Sequence, residues 1–242
     1  MSTVFFAFLS FFFASNKKYD IIDIEWRCVA MLMLHGIENT ALPDIDVLRA
    51  RLPAQWVTAW EEHHGEVSCK KNTLTARQSL GGLYLLNALG AVGTLRYEAS
   101  GKPRLFDATI DFSITHTDGL VLCALNQRTD GTAPRVGLDA ESIKRSKDLP
   151  IEKLVVRWFA KSEQAQYQGD ASAENFTRIW TRKEALVKYH GEGLSALHAS
   201  DTVAAEKSGI RFTEYRIGNV LITLCHTEET VPTGISFYTM NI

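Results

Sequence analysis

Cysteine is scarce and scattered. Cys28, Cys69, Cys123 and Cys225 are the four thiols of the 242-residue chain. No two form a C-x-x-C pair, which argues against a zinc cluster and against a disulfide scaffold. Free thiols in a reducing cytosol are the expectation, and with them a cytoplasmic protein. Charge of one sign is also lacking. Lys+Arg 26 against Asp+Glu 28 gives a net charge of −2, no basic stripe stands out, and a nucleic-acid partner has little support. Neither a sequence repeat nor a low-complexity tract is visible.

A membrane-spanning run is missing as well. The Phe-rich stretch Val4 to Ala14 has Ser10 as its one polar residue and is too short to cross a bilayer. It resembles the apolar part of a signal peptide, yet no Lys or Arg precedes it; Lys17 and Lys18 come after. A poor signal peptide, an interfacial anchor and an extension upstream of the domain are the three readings. The last is favoured, because a strand-like run, Trp26 to Leu34, begins just beyond. Residues 1–25 are therefore expected to be an apolar extension without stable membrane insertion.

What is present is a mixture of strand and helix signals, the pattern of an α+β fold. Pro43 and Pro53 bracket a short helix, Asp44 to Arg51, and Ala54 to His64 reads as a mostly surface helix. Thr73 to Leu89 carries Leu74, Leu80, Leu83, Leu86 and Leu89 at helical spacing. Its Gly81-Gly82 calls for a close packing partner. A loop at Gly101-Lys102-Pro103 precedes the segment Ile110 to Gly119 and a strand, Leu120 to Leu125. Asn126 to Pro134 is polar and is the best internal boundary. Arg135 to Glu141 reads as a strand, Ile151 to Phe159 as a helix, and Ser162 as the N-cap of another. A central helix is expected over Ala173 to His190. The tail alternates like a hairpin, Val220 to Leu224 and then Ile235 to Tyr238.

Four features carry chemistry. Asp139 and Glu141 are two apart on a strand and so face the same way. They are either two solvated acids or, since like charges so held repel, the oxygen ligands of a hard divalent ion. Trp180, Glu184 and Lys188 share one face of the central helix, either as an ordinary i,i+4 Glu–Lys pair or as a functional surface. His116, after the hydroxyls of Ser113 and Thr115, is either a half-buried histidine or a phosphate ligand. Lys102 sits in an ordinary turn or on a stiffened loop that aims its charge.

In order, Gly101-Lys102-Pro103, Phe112 to His116, Gly137 to Glu141, Phe159 to Glu163, Trp180 to Lys188 and Gly191 to Leu194 form the blocks G-K-P, F-S-x-[ST]-H, G-x-D-x-E, F-x-x-x-E, W-x-x-K-E-A-x-x-K and G-x-G-L. This series resembles the 4′-phosphopantetheinyl transferases of the surfactin-synthetase-activating (Sfp) type, over about Arg27 to the tail and most strongly from Gly101 to Leu194. The resemblance implies a monomer of two similar pseudo-twofold α/β halves, each a small antiparallel sheet packed on a long helix. Residues 26–130 would be the coenzyme A-binding N-terminal half, and 131–242 the C-terminal half with the metal site. It also implies transfer of the phosphopantetheine arm of coenzyme A to a serine of an apo acyl or peptidyl carrier protein. Asp139, Glu141 and Glu184 would then hold Mg²⁺, and Lys188 would stabilise the leaving phosphate, with Lys183 sharing that work. Glu184 would be the general base, directly or through a water. Lys102, Pro103, Thr115 and His116 would bind coenzyme A.

Three positions depart from the family pattern, one of them Ala140 inside G-x-D-x-E, which stands in place of a branched residue and leaves both carboxylates intact. Gly82 stands where an Arg often follows the Gly of the first-half helix, so first-half phosphate contacts fall to Arg77 or to Lys70 and Lys71. Thr115 stands where Ser is usual, and the hydroxyl is retained. A non-catalytic carrier-binding homologue and a Mg²⁺-dependent coenzyme A pyrophosphate hydrolase are the alternatives.

Overall fold

A computed structural model describes residues 31–65, 72–106, 109–117, 119–129, 132 and 134–238. Residues 1–25, the first part of the Trp26 to Leu34 run, Lys70 and Lys71 lie outside the described residues. The chain is α+β. In the first part, β1 (Met31–Glu38) is followed by α1 (Ile45–Ala50), α2 (Ala54–His64) and α3 (Leu74–Ala88). A ribbon of β2 (Leu95–Tyr97) and β3 (Pro103–Leu105) leads into β4 (Ile110–Thr117) and β5 (Leu120–Gln127). The second part holds β6 (Gly137–Ser142), α4 (Ile143–Ser146), α5 (Ile151–Trp158), α6 (Lys161–Gly169), α7 (Ala173–His190), α8 (Thr202–Lys207), β7 (Arg211–Ile217), β8 (Val220–His226) and β9 (Ser236–Phe237).

Two sheets stack in the interior. In one, β1 pairs antiparallel with β5 and β5 with β4, and α3 covers the outer face through Leu80, Leu83 and Leu86. In the other, β6 and β7 flank β8, both antiparallel, and α7 covers the outer face. The inner faces share one apolar core: Leu32, Leu34, Leu122 and Ala124 pack against Leu138, Ala140, Ile222 and Leu224. Alternation along a strand explains the division of labour. Leu138 and Ala140 turn into this core, which leaves Gly137, Asp139 and Glu141 facing α7.

The edge strand β4 touches β6 through side chains. Asp111, Ser113, Thr115 and Thr117 are all buried, an unusual row of polar residues on one face of a strand. Asp111 Oδ2 accepts from the Val136 N–H at 2.8 Å and Ser113 Oγ from the Leu138 N–H at 2.9 Å. Each of these main-chain donors at the edge of β6 is thereby satisfied without a strand partner.

Two expectations are revised. α2 is less a surface helix than its polar composition suggests, because Trp56 and Trp60 are each 1% exposed in the first core. The tail also pairs differently: Val220–His226 forms its hairpin with Arg211–Ile217 across Gly218-Asn219, while Ser236–Phe237 runs parallel to β1 in the other sheet. The Gly-Asn pair supplies the tight turn, with Gly218 at φ +54°. Among the described residues, no helix is long and apolar enough to cross a membrane.

Candidate active site

α7 carries half of the site, and its sequence fixes both ends. The Ser172 hydroxyl caps the start by accepting from the Asn175 N–H at 3.1 Å, and no Gly or Pro follows until Gly191. There the backbone turns left-handed, at φ +78°, and closes the helix. Ala185 and Tyr189 pack on the sheet side, and the Thr181 hydroxyl bonds that of Thr223 on β8 at 2.8 Å. Gly137 lets α7 approach β6: a methyl group there would lie 1.9 Å from the Ala185 carbonyl oxygen.

That close approach delivers Glu184 to β6. One carboxylate oxygen from each of Asp139, Glu141 and Glu184 lies within 4.8 Å of the others. Asp139 is 2% exposed, and its Oδ2 has no hydrogen-bond partner. Its Oδ1 accepts from Lys188 Nζ at 2.7 Å and from Thr115 Oγ1 at 3.2 Å. Lys188 Nζ also donates to Thr115 Oγ1 at 3.3 Å.

The electrostatics are those of crowded acids. Burial, then the Asp139 charge, pushes the Glu184 carboxyl up to about 8. The same two causes raise Glu141. Burial works against the charge of Lys188, but Asp139 and Glu184 outweigh it and hold the ammonium above its ordinary range. Burial, then the Lys188 charge, holds His116 below the usual histidine range. Three oxygen donors with an unpartnered buried acceptor among them suit a hard divalent cation. Such an ion would supply the positive charge that one lysine leaves short.

A cavity of about 210 Å³ adjoins the cluster, lined by Lys102, Pro103, Phe112, Val187, Lys188 and Gly191 among others. The polar loop before β3, the edge of β4 and the end of α7 thus meet at one opening.

Residues 135–231 match the family model of the 4′-phosphopantetheinyl transferase superfamily. This stretch, less than half of the chain, is similar to that superfamily. The chain is 32% identical over 108 residues to the 4′-phosphopantetheinyl transferase HetI of Nostoc sp., 42% of this chain and 43% of that protein. It is 28% identical over 113 residues to the 4′-phosphopantetheinyl transferase Sfp of Bacillus subtilis, covering 45% and 46% of the two chains. Over 97 residues it is 32% identical to the 4′-phosphopantetheinyl transferase gsp of Aneurinibacillus migulanus, with 39% and 36% covered. The aligned part spans less than half the length of each of these relatives. The matched stretch contains Asp139, Glu141, Lys183, Glu184 and Lys188, whereas Arg77, Lys102, Pro103, Thr115 and His116 precede it.

The residues singled out from sequence fall into two groups. Asp139, Glu141, Glu184, Lys188 and Thr115 meet, with Pro103 on the adjoining cavity and His116 within electrostatic reach of Lys188. Lys183, Lys102 and Arg77 do not offer their charges there. Lys183 is fully buried; its ammonium pairs with Glu163 at 2.8 Å and donates to the Ser200 carbonyl. Adjacent helical residues point about 100° apart, so a helix that aims Glu184 at β6 turns Lys183 elsewhere. The Lys102 ammonium bonds the Lys188 carbonyl at 2.8 Å and Asp111 at 3.3 Å. Arg77 donates to the Leu42 carbonyl at 3.3 Å.

Trp180 stacks on Phe176 with ring centres 5.8 Å apart and anchors α7 to the helices before it. Two contributors, Asp111 and Arg104, were not singled out from sequence. The signal for Asp111 was there: an acid directly before Phe112-Ser113-Ile114, on the face later shown by Ser113 and Thr115.

Proposed function

We propose that the protein moves the 4′-phosphopantetheine arm of coenzyme A onto a serine hydroxyl of an apo acyl or peptidyl carrier protein, releasing adenosine 3′,5′-bisphosphate. The observation that carries this reading is the convergence of Asp139, Glu141 and Glu184 within 4.8 Å, with Lys188 hydrogen-bonded to Asp139 beside a cavity. The similarity of residues 135–231 to the 4′-phosphopantetheinyl transferase superfamily model supports it.

In this proposal the three carboxylates hold Mg²⁺, which when bound supplies charge neutralisation at the pyrophosphate. Phosphoryl transfer needs little covalent chemistry from a protein, mostly alignment and compensation of charge. The serine oxygen forms a bond to the phosphorus that bears the pantetheine. The bond from that phosphorus to the bridging oxygen breaks, and its electron pair leaves with the adenosine bisphosphate. Lys188 neutralises the charge gathering on that oxygen. Glu184 takes the serine proton directly or through a water. Thr115 orients the Lys188 ammonium through the 3.3 Å hydrogen bond between them. Pro103 and the loop before it flank the adenosine, and His116, with Lys70 or Lys71, completes the phosphate contacts.

Part of the same proposal is a monomer of two related halves, divided near residue 131 and working in the cytoplasm. Each half as described sets a long helix, α3 or α7, on an antiparallel sheet, which supports a pseudo-twofold origin. The buried free thiols Cys123 and Cys225 suit a reducing compartment.

Incubation with coenzyme A and Mg²⁺, with and without an apo carrier protein, tests the reaction class. A transferase adds one phosphopantetheine arm to the carrier and consumes no coenzyme A without it. Release of free phosphopantetheine in the carrier-free sample would make the protein a pyrophosphate hydrolase instead.

A further inference from the structure

The buried carboxylate of Asp111 lies outside the three-acid cluster and has a different task. It is 2% exposed on β4 and takes three donors: Arg104 Nη1 at 2.7 Å, Lys102 Nζ at 3.3 Å and the Val136 N–H at 2.8 Å. Val136 stands three residues before Asp139 and fixes the entry of β6. The Lys102 ammonium extends the grip, donating to the Lys188 carbonyl at 2.8 Å and to the Val136 carbonyl at 3.3 Å. Lys188 is the residue whose own ammonium reaches Asp139. One acid on the first sheet therefore holds both backbone segments that carry the cluster, β6 directly and the end of α7 through Lys102.

The surroundings are built for this contact. Arg104 also pairs with Glu98 at 3.1 Å, and a methyl group on Gly191 would lie 2.9 Å from an Arg104 nitrogen and 3.3 Å from a Glu98 oxygen. The turn between β2 and β3 thus packs tightly on the segment that ends α7. Lys102 donates from within the structure to two carbonyls and a carboxylate. A lysine so committed at 9% side-chain exposure spends its charge on internal acceptors.

We propose that Asp111 is a positioning residue, with Lys102 as its arm, that sets the spacing between β6 and α7 and thereby the affinity of Asp139, Glu141 and Glu184 for a divalent ion. This rests on the reading of those three acids as a metal site. It also gives the Lys102 side chain a role other than phosphate binding, leaving contact with coenzyme A to the loop around it.

Binding of Mn²⁺ alone to the full chain, followed by electron paramagnetic resonance, tests the proposal, with thermal unfolding recorded in parallel. Loss of a residue that orients metal ligands typically costs 10- to 100-fold in metal affinity. Asp111→Asn and Lys102→Met are each expected to weaken Mn²⁺ binding about tenfold. The double variant should be no weaker than the worse single one, and Lys102→Arg should recover part of the loss. If Asp111→Asn does not fold, Lys102→Met carries the same test. Wild-type affinity in the folded variants overturns the clamp while leaving the metal site standing. So does weaker metal-free binding of adenosine 3′,5′-bisphosphate to Lys102→Met with Mn²⁺ affinity unchanged. Failure of the wild type to bind Mn²⁺ overturns the metal reading and the clamp with it.

Discussion

Lys188 and Asp139 meet across the contact between α7 and β6, Nζ to Oδ1 at 2.7 Å, and join the two elements that carry the site. On the same helix, Lys183 makes a 2.8 Å ion pair with Glu163 in which both side chains are fully buried. Two lysines five residues apart therefore do different work.

Replacing each lysine by methionine should separate the two. Lys183→Met leaves Glu163 buried without its cation. That loss is expected to cost about 3–5 kcal/mol, the range for breaking a buried pair on one side. Lys188→Met should keep the fold and lose transfer by roughly 10²- to 10³-fold, the range for removing one group that stabilises developing charge. Urea unfolding and rates of carrier modification check the two effects independently. Equal loss of stability in both variants would contradict the assignment.

pH should act on the metal-free protein through Glu184. Its carboxyl is pushed up to about 8 in the fold, first by burial and then by Asp139, from an ordinary value of 4.5. Between those values the folded chain binds more protons than the unfolded one, so stability is fully present below the lower value and falls as pH rises toward 8. Glu141, raised for the same reasons, works in the same direction. Metal ligands must be deprotonated, so Mg²⁺ binding near neutral pH is expected to release about one proton. Calorimetry in buffers of different ionisation enthalpy measures that number, and zero release would contradict the raised Glu184.

Gly137→Ala tests how α7 is seated. The added methyl would lie 1.9 Å from the Ala185 carbonyl oxygen, which is backbone and cannot rotate aside. The helix must shift, at a cost of about 1–3 kcal/mol for overpacking. Glu184 moves with it, so a higher Mg²⁺ requirement is expected alongside the loss of stability. A denaturation midpoint and Mg²⁺ dependence both equal to wild type would show that the contact is slack.

The most local features were the easiest to read from sequence. α7 runs over Ala173–His190 as expected, because its cap, its uninterrupted interior and its closing glycine are all encoded next to one another. Strand alternation puts Asp139 and Glu141 on one face, whereas that Glu184 joins them was implied by the family resemblance alone. Side-chain direction was harder. Lys183 and Lys102 look like phosphate ligands until burial assigns them acceptors, and those acceptors, Glu163 for one and Asp111 with two carbonyls for the other, are settled by tertiary packing. The pairing of the tail differs from the expected hairpin for a related reason. Val220–His226 is buried along its whole length and mostly apolar, with Thr223 and His226 its polar residues, so no alternation identifies its partner, and the cross-sheet position of Ser236–Phe237 leaves no local trace.

Glu184→Gln is the most direct test, since that residue is both metal ligand and base in the proposed reaction. Its charge is already disfavoured in the metal-free fold, so the amide should leave stability unchanged or higher. Intact-mass spectrometry of an apo carrier protein incubated with coenzyme A and Mg²⁺ reads the outcome in one step. Wild type is expected to add one phosphopantetheine arm, to lose that ability with a chelator, and to regain it with Mg²⁺. The folded Glu184→Gln variant should leave the carrier unmodified, and near-normal modification by that variant would contradict the site.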